Sequence, residues 1–320
     1  MAQPNPLEVD LAGLRLRNPV MLAAGTAGYV DEMAGATDLA RLGAVVTKSI
    51  TGEAREGNPT WRILECRAGM LNAIGLANVG AAGFEREHAP RIGACPCPVV
   101  GSIAGASVEE YQAVARMFAR LEAMPAVEVN VSCPNVHSGT QFGDDPVALR
   151  DLIVVMRETL GAKKLFVKLP PATTGARGVD IVSLATACLD AGADGLTIAN
   201  TTPAMAIDIE SREPRLANVT GGLSGPAVHP IVVRLVHLVY RAVAKERGAP
   251  IIGAGGVTNW EEAAEMILAG ASAVQIGAAS FADPRAGLKV ARGLEKWVRR
   301  QGASGVADLV GAVRLPGDGA

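Results

Sequence analysis

The chain has 320 residues, 49% hydrophobic and 19% charged, which supplies a sizeable core for one large domain or two smaller ones. Its formal net charge is −2 and its basic residues are scattered, so we expect no nucleic-acid partner. Gly, Pro or a charge interrupts each apolar run before the ~18–20 residues of a membrane span, and no signal peptide precedes Leu7, so we expect no membrane association.

The five cysteines do not have the spacing of a disulfide framework, and their odd number fits a reducing cytoplasm better than a disulfide scaffold. Cys95 and Cys97 flank a proline, which raises the possibility of a zinc site. No second Cys/His pair completes a tetrahedral ligand set, and the four-thiolate pattern of an iron–sulfur cluster is missing. We therefore predict a cytoplasmic protein without a metal site.

The apolar pattern begins with a short hairpin and continues as strands that alternate with helices. Leu7, Val9 and Leu11 alternate, as do Leu14 and Leu16, about a turn at Ala12-Gly13, and this hairpin could close the floor of a barrel. Eight strands are predicted after it: Val20–Ala24, Ala44–Thr47, Val99–Ile103, Ala126–Val131, Leu165–Leu169, Gly195–Ile198, Ile251–Ala254 and Ala273–Ile276.

Start signals mark the helices between these strands. Ser107 and Glu110 form the pattern of a capping box, and Asn259 precedes an acidic first turn. Asp145-Pro146 and Asp283-Pro284 each place an N-cap acid before a first-turn proline. Eight strands alternating with helices, without a linker, predict a single (β/α)8 TIM-barrel domain over residues 1–320.

Three strand-to-helix connections are unusually long, over Lys48–Pro98, Ser132–Asp144 and Asn200–His229. Long loops in a compact domain are usually functional or disordered, and insertion without function is an equally good interpretation. These connections contain nearly all of the polar residues that are candidates for a functional site.

Polar side chains follow several strands where they end. The predicted strand Ala126–Val131 stops before Cys133-Pro134 and leaves Asn130, Cys133 and Asn135 together at the rim, where barrels carry their chemistry. Lys48, Lys168, Asn72, Asn200 and Thr201 are further candidates. Each could instead be a solvated rim lysine or an amide satisfied by backbone. Together they predict a site for a small polar heterocycle, because carboxamides both donate and accept hydrogen bonds.

Glycines mark a second half of this site. Gly221-Gly222-Leu223-Ser224-Gly225 follows strand six, Gly255-Gly256 ends strand seven and Gly277 ends strand eight. In barrels the loops after the last two strands commonly bind phosphate through backbone N–H groups. The glycines therefore indicate a phosphorylated cofactor.

The chain resembles the dihydroorotate dehydrogenase family from Leu7 to about Arg299. The motifs that carry the resemblance are V-T-K-S-I-T at Val46, R-E-G-N-P at Arg55, A-G-M-L-N-A-I-G-L at Ala68, N-V-S-C-P-N-V at Asn130, N-T at Asn200, G-G-L-S-G-P-A at Gly221, G-A-G-G-V at Gly253 and Q-I-G at Gln275, with N-P-V-M-L-A at Asn18. Cysteine at position 133, the H-S-G-T-Q-F-G continuation and the lack of an N-terminal extension resemble the cytosolic, NAD-linked, two-subunit class 1B.

The resemblance implies oxidation of dihydroorotate to orotate in pyrimidine (UMP) biosynthesis, with one FMN per chain. Cys133 would remove the C5 proton while C6 delivers a hydride to N5 of FMN. The implied pyrimidine contacts are Asn72, Asn130, Asn135, Asn200, Thr201, Lys48 and the segment Ala73, Ile74, Gly75 and Leu76. The implied FMN contacts are Lys48, Ser49, Asn130, Lys168 at the N1/O2 edge, Ala199, and Gly225, Gly255, Gly256, Gly277 and Ala278 around the phosphate.

The class also implies an electron-transfer subunit that carries FAD and a 2Fe-2S centre, in a homodimer or heterotetramer, because this chain has no Rossmann fingerprint after its first strand. The sequence departs from the family at Ala24, Ser102 and Ala278, where the family usually has serine, asparagine and threonine, and at Pro170-Pro171-Ala172, where it has S-P-N. Two alternatives stay open: a Schiff-base aldolase-type barrel that uses Lys48 or Lys168, and a catalytically silent barrel that binds a phosphorylated ligand.

Overall fold

A computed structural model of the protein describes residues 5–132, 142–171 and 179–317. Its strands are β1 Val9–Leu11, β2 Leu14–Leu16, β3 Val20–Leu22, β4 Ala44–Val46, β5 Ile63–Cys66, β6 Gly69–Asn72, β7 Val99–Ile103, β8 Ala126–Asn130, β9 Lys164–Leu169, β10 Gly195–Ile198, β11 Thr202–Met205, β12 Thr220–Ser224, β13 Ile251–Ala254 and β14 Ala273–Ile276. Its α-helices are α1 Gly80–Glu87, α2 Val108–Arg120, α3 Pro146–Leu160, α4 Ile181–Asp190, α5 His229–Val239, α6 Lys245–Arg247, α7 Trp260–Ala269, α8 Ala279–Ala282 and α9 Ala286–Arg300.

The eight predicted strands close into one parallel barrel. Its cyclic order is β3, β4, β7, β8, β9, β10, β13 and β14, so the (β/α)8 prediction is confirmed. Three strands end earlier than predicted, at Leu22, Val46 and Asn130. The backbone N–H groups of Ala23, Thr47 and Val131 still donate to carbonyls of the neighbouring strands. The barrel interior and the helices around it share one apolar cluster that runs from Leu7 to Val306.

The predicted hairpin is present as β1 and β2. Ala12 and Gly13 have φ values of 55° and 97°, the left-handed conformation that a two-residue hairpin turn requires. Leu11 and Leu16 are buried, and the turn lies against Lys164 at the first residue of β9. The hairpin therefore covers the amino-terminal end of the barrel, opposite the rim that carries the candidate residues.

The long connections contain a second sheet that the sequence did not predict. β5 and β6 come from the first connection and β11 and β12 from the third, and they pair antiparallel in the order β11, β12, β6, β5. Asn72 pairs with Gly222 in this sheet. A Cβ at Gly222 would lie 1.9 Å from Oγ1 of Thr201, so only glycine lets β12 pass this close to the rim.

Helix starts agree with the predicted caps at three of four positions. Asp145 accepts from the backbone N–H of Val147, and Asn259 forms a full capping box with Glu262. Ser107 accepts from Glu110 N–H, while the Glu110 carboxylate accepts from Ala106 N–H rather than from Ser107. The prediction for Asp283 was wrong.

Helix α9 begins at Ala286, and its N-cap residue is Arg285. Asp283 is the C-cap of the short helix α8, and its backbone N–H donates to the Ala279 carbonyl. Its carboxylate accepts from the N–H of Arg285 and so stabilises the turn before α9.

The segment Pro226–Arg247 is long and apolar enough to cross a membrane by length and composition alone. Its α5 portion packs against β10, β13, α4 and α7. This is the environment of a core helix in a barrel of packed layers.

Candidate active site

A pocket of about 460 Å³ lies at the carboxyl-terminal rim of the barrel. This volume is within the roughly 300–1,000 Å³ range of small-molecule sites. Its floor is formed where β3, β4, β8, β9, β10, β13 and β14 end, and residues of β6 and β12 in the small sheet form one wall. The two long connections thus build part of the pocket, so they are not insertions without function.

The structure brings together most of the residues that the sequence predicted. The predicted residues that line the pocket are Lys48, Ser49, Asn72, Ile74, Leu76, Asn130, Lys168, Ala199, Asn200, Thr201, Gly225, Gly255, Gly256, Gly277 and Ala278. Ala73 and Gly75 lie in the same segment but do not line the pocket. Cys133 and Asn135 lie outside the described residues.

An amide pair occupies the rim between β8 and β10. Asn200 Nδ2 donates to Asn130 Oδ1 over 3.0 Å, and Ser132 N–H donates to the same oxygen over 3.2 Å. Tyr111 Oη donates to the Asn130 carbonyl over 2.6 Å. With its oxygen engaged, Asn130 has its Nδ2 donor left for a ligand, since no described protein group accepts from it.

The small sheet places a third amide on the opposite wall. Asn72 Nδ2 donates to the Gly222 carbonyl over 3.2 Å, which fixes the side chain at the end of β6. Because the NH₂ group is bound to the sheet, the carbonyl oxygen of this amide is the group available to a ligand. The walls therefore offer both a donor and an acceptor.

The charged residues among the described pocket lining are all positive. They are Lys48, Lys168 and Arg62, and none of the described lining residues is an aspartate or glutamate. Burial lowers the pKa of Lys48, and the neighbouring positive charge of Arg62 lowers it further. A pocket of this charge favours anionic ligands such as phosphates and carboxylates.

Lys168 stands at the pocket floor in contact with a buried polar network. Its Nζ donates to Gln275 Oε1 over 3.4 Å and lies 3.8 Å from Glu128 Oε1. Gln275 Nε2 and Thr197 Oγ1 both donate to Glu128 Oε2, over 2.6 and 2.8 Å. Ser49 Oγ and Ser102 Oγ form a separate pair at 2.9 Å near β4 and β7.

The predicted glycine cradle forms the far end of the pocket. In the part of the chain that the structure describes, no backbone or side-chain group accepts the N–H of Gly256, Gly277 or Ala278 outside the helices and strands. Gly256 has φ 70°, and a Cβ there would lie 2.7 Å from the Gly225 carbonyl oxygen. Unpaired N–H groups that converge at the ends of β13 and β14 fit a phosphate.

His229 supports this cradle from behind. Its Nδ1 lies 3.2 Å from the Gly255 carbonyl and its Nε2 lies 2.8 Å from Glu265 Oε2. No role was predicted from the sequence for His229, Arg62, Glu128 or Gln275. A polar residue inside an otherwise apolar barrel strand was the available signal for Glu128 and Gln275.

The Cys95 and Cys97 pair lies away from this pocket. Their sulfur atoms are 3.9 Å apart, and the described residues contain no group of three or more side chains that could hold a metal ion. The hydrogen bond from Cys97 lowers the pKa of Cys95 to about 7, whereas that contact and burial raise the pKa of Cys97.

Comparison with known proteins agrees with this geometry. The family model described as "Dihydroorotate dehydrogenase" matches residues 6–298. The chain belongs to the dihydroorotate dehydrogenase family. The resemblance drawn from the motifs is thereby confirmed.

Three relatives carry the name "Dihydroorotate dehydrogenase B (NAD(+)), catalytic subunit". The protein of Pelobacter propionicus is 47% identical over 308 residues, which cover 96% of this chain and 98% of the relative. That of Geotalea daltonii is 44% identical over 316 residues, covering 98% and 100%. That of Geotalea uraniireducens is 45% identical over 314 residues, covering 98% and 99%.

The positions where this dihydroorotate dehydrogenase sequence departs from the family pattern have identifiable surroundings. Ala24 and Ala278 line the pocket, so each leaves one hydroxyl fewer there. Ser102 is buried against Ser49, and its N–H donates to Thr47 Oγ1. Pro170 is buried beside Gly143, whereas Ala172 lies outside the described residues.

Proposed function

We propose that this chain is the catalytic subunit of an NAD-linked dihydroorotate dehydrogenase, which oxidises dihydroorotate to orotate in de novo pyrimidine (UMP) biosynthesis. The observation that carries the proposal is the shared pocket. It joins amide donors and acceptors to an N–H cradle, and the charges among its described lining residues are all positive, in a chain of this family. We propose further that residues 1–320 form one FMN-binding domain.

The residues fit an FMN with its phosphate in the cradle. The free N–H groups of Gly256, Gly277 and Ala278 would hold the phosphate, with Gly225 and Gly255 allowing close approach. Lys48, Ser49, Asn130, Lys168 and Ala199 would surround the ring. When bound, FMN supplies the hydride acceptor. The Lys168 cation would stabilise the negative charge that reduction brings, a preorganised electrostatic role.

Dihydroorotate would lie between the amide walls. Asn72, with its oxygen free, and Asn130 and Asn200 on the opposite rim would match the alternating donors and acceptors of its ring, together with Asn135 and Thr201. Ile74, Leu76 and the backbone of Ala73 and Gly75 would close this side. Lys48 and Arg62 would face the substrate carboxylate, because they are neighbouring cations in the pocket lining.

Cys133 would act as the base. Its thiolate takes the proton from C5 of dihydroorotate, the hydride leaves C6, and a C5=C6 double bond forms. A free thiol has a pKa of about 8.5. For reaction near neutrality the site must therefore lower the pKa of Cys133, or hold its sulfur in ideal geometry for the proton on C5.

The electrons would pass to NAD through a second subunit that carries FAD and a 2Fe-2S centre. Support for this subunit is the "catalytic subunit" and "NAD(+)" in the relatives' names. We place the protein in the cytoplasm as a homodimer or a heterotetramer with that subunit. Co-purification from the native host, followed by assays with NAD, fumarate and quinone as acceptors, tests the acceptor and the partner.

The same preparation distinguishes the remaining alternatives. We expect a yellow protein that forms orotate from dihydroorotate when an artificial electron acceptor is supplied. The lowered pKa of Lys48 is also what a Schiff-base lysine requires, and a colourless protein that borohydride links to a carbonyl substrate would replace the proposal with an aldolase. Bound flavin without orotate formation would indicate a silent barrel.

A further inference from the structure

A buried acid, Glu128, lies beside a buried lysine, Lys168, inside the barrel. Among the described residues that are buried, Glu128 is the only acid and Lys168 the only lysine or arginine, with exposures of 1% and 7%. Glu128 Oε1 and Lys168 Nζ are 3.8 Å apart. Lys168 and Gln275 line the pocket, whereas Glu128 lies behind them.

Gln275 connects the two charges in a fixed orientation. A carboxylate can only accept hydrogen bonds and an ammonium can only donate them, so the amide must direct its NH₂ to Glu128 and its oxygen to Lys168. The observed distances are 2.6 and 3.4 Å. Glu128, Thr197 and Gln275 come from β8, β10 and β14, which are alternate strands of the barrel and therefore share an interior layer.

The ion pair of Glu128 and Lys168 is not arranged for maximal stability of the fold. Glu128 Oε1 has no hydrogen-bond partner among the described residues, and Lys168 makes one long hydrogen bond to them. Burying a carboxylate with an unused oxygen is costly, and a buried ion pair is often no more stabilising than apolar residues of the same size. An arrangement of this kind calls for a role other than folding.

We propose that Glu128 is a positioning residue that, through Lys168 and Gln275, lowers the reduction potential of the FMN bound in the pocket. The inference rests on the proposed FMN site. Reduction adds negative charge to the flavin, and a lysine cation at the pocket floor favours that charge. The Glu128 carboxylate offsets part of the cation, while Gln275 holds the ammonium at the floor. A lower potential favours release of both electrons to the next acceptor.

The test compares the two-electron reduction potential of FMN in the purified wild-type protein and in variants, by anaerobic dithionite titration against a reference dye. For Glu128→Gln we expect an equilibrium constant for reduction that is about tenfold larger, equivalent to about 30 mV. Glu128→Asp keeps the charge but withdraws it by one methylene, so about a threefold rise is expected. Thr197→Val removes a hydrogen bond to Glu128 without changing charge and should leave the potential unchanged.

An unchanged or lowered reduction potential in Glu128→Gln would overturn the inference. An equal shift in Thr197→Val would also overturn it, because that variant keeps the charge of Glu128 and the shift would then come from altered packing. If Glu128→Gln does not fold, Glu128→Asp decides by the same criterion. Dithionite replaces dihydroorotate here, so wild-type protein that binds FMN but forms no orotate refutes the proposed function while the potentials still decide the role of Glu128. A protein that binds no FMN refutes both.

Discussion

The Nδ2 atom of Asn200 lies 3.0 Å from Oδ1 of Asn130, and this hydrogen bond joins the rims of β8 and β10 across the intervening strand β9. The Asn200 backbone N–H also donates to the Leu169 carbonyl over 2.8 Å, so the position of the pair is set by the barrel itself. Each amide thus orients the other toward the pocket.

Replacement of Asn200 should therefore impair substrate binding more than FMN binding. For Asn200→Ala we expect kcat/KM for dihydroorotate to fall by about 10- to 100-fold, because the variant loses its own contact with the substrate and leaves Asn130 Oδ1 held by the Ser132 N–H alone. Steady-state kinetics with an artificial acceptor measure this. Asn218→Ala, an exposed amide in the loop before β12, is the matched control and should retain activity. Equal kinetics in the two variants would contradict the assignment.

The lowered pKa of Lys48 predicts a pH-dependent affinity for the carboxylated product. Because burial and Arg62 lower that pKa, Lys48 loses its charge below the ordinary range of lysine, and orotate should bind more weakly as pH rises through the lowered value. Lys48 binds its proton more tightly in the unfolded chain than in the folded protein. The charged Lys48 therefore destabilises the fold at low pH, and this destabilisation is relieved as pH rises from the folded pKa toward the unfolded pKa.

Orotate titrations of the flavin spectrum over a pH series measure this effect. Lys48→Met should bind orotate weakly and without this pH dependence. Lys289→Met, which removes an exposed lysine paired with Asp283, should retain the wild-type profile. A wild-type profile in Lys48→Met would show that another group titrates.

Cys133→Ser tests the base, which the sequence motif and the family assign. The variant should retain FMN, while its reduction by dihydroorotate slows by about 10²- to 10⁴-fold, the usual contribution of a general base. The pH dependence should move upward, because a hydroxyl ionises at higher pH than a thiol. Rapid-mixing absorbance measurements follow the reaction, and reduction at the wild-type rate across the pH range would remove Cys133 from the mechanism.

Cys95 should be the most readily alkylated of the four described cysteines. Its pKa of about 7 predicts an iodoacetamide rate that rises through neutral pH, while burial raises the pKa of Cys188 and protects it. Peptide mass mapping distinguishes the sites. Cys97→Ala should slow alkylation of Cys95 at neutral pH by removing the side-chain hydrogen bond that lowers its pKa, and an unchanged rate would contradict that cause.

The full capping box at Asn259 predicts a measurable effect on stability. Asn259→Ala should reduce the free energy of unfolding by about 1 kcal/mol, because the backbone N–H of Glu262 loses the Asn259 side-chain oxygen that accepts from it. Asn259→Asp keeps an acceptor and should be nearly neutral. Urea unfolding followed by circular dichroism provides both values, and equal losses in the two variants would argue against capping.

The regular elements were predictable because their signals are local. A buried parallel strand such as β10 is a short apolar run, and the hairpin turn at Ala12-Gly13 needs no distant contact. The small sheet was not predictable by these means. β12 is glycine-rich, and its pairing with β6 joins residues about 150 positions apart, so it is formed by tertiary contacts.

The site was predictable where residue type and motif coincide, as at Asn130, Lys168 and the Gly255-Gly256 turn. Glu128 was not a candidate from the sequence, because the alternation of polar and apolar residues does not reveal which face of a strand points into a barrel. Arg62 reaches the pocket only through the fold of its long connection. These residues became candidates through their contacts in the folded chain.

The most direct test of the account is anaerobic mixing of the FMN-loaded protein with dihydroorotate, without any other electron acceptor. We predict that the visible flavin absorbance bleaches and that one orotate forms per bound FMN. Flavin that stays oxidised at saturating dihydroorotate, in protein that dithionite does reduce, would contradict the assigned reaction.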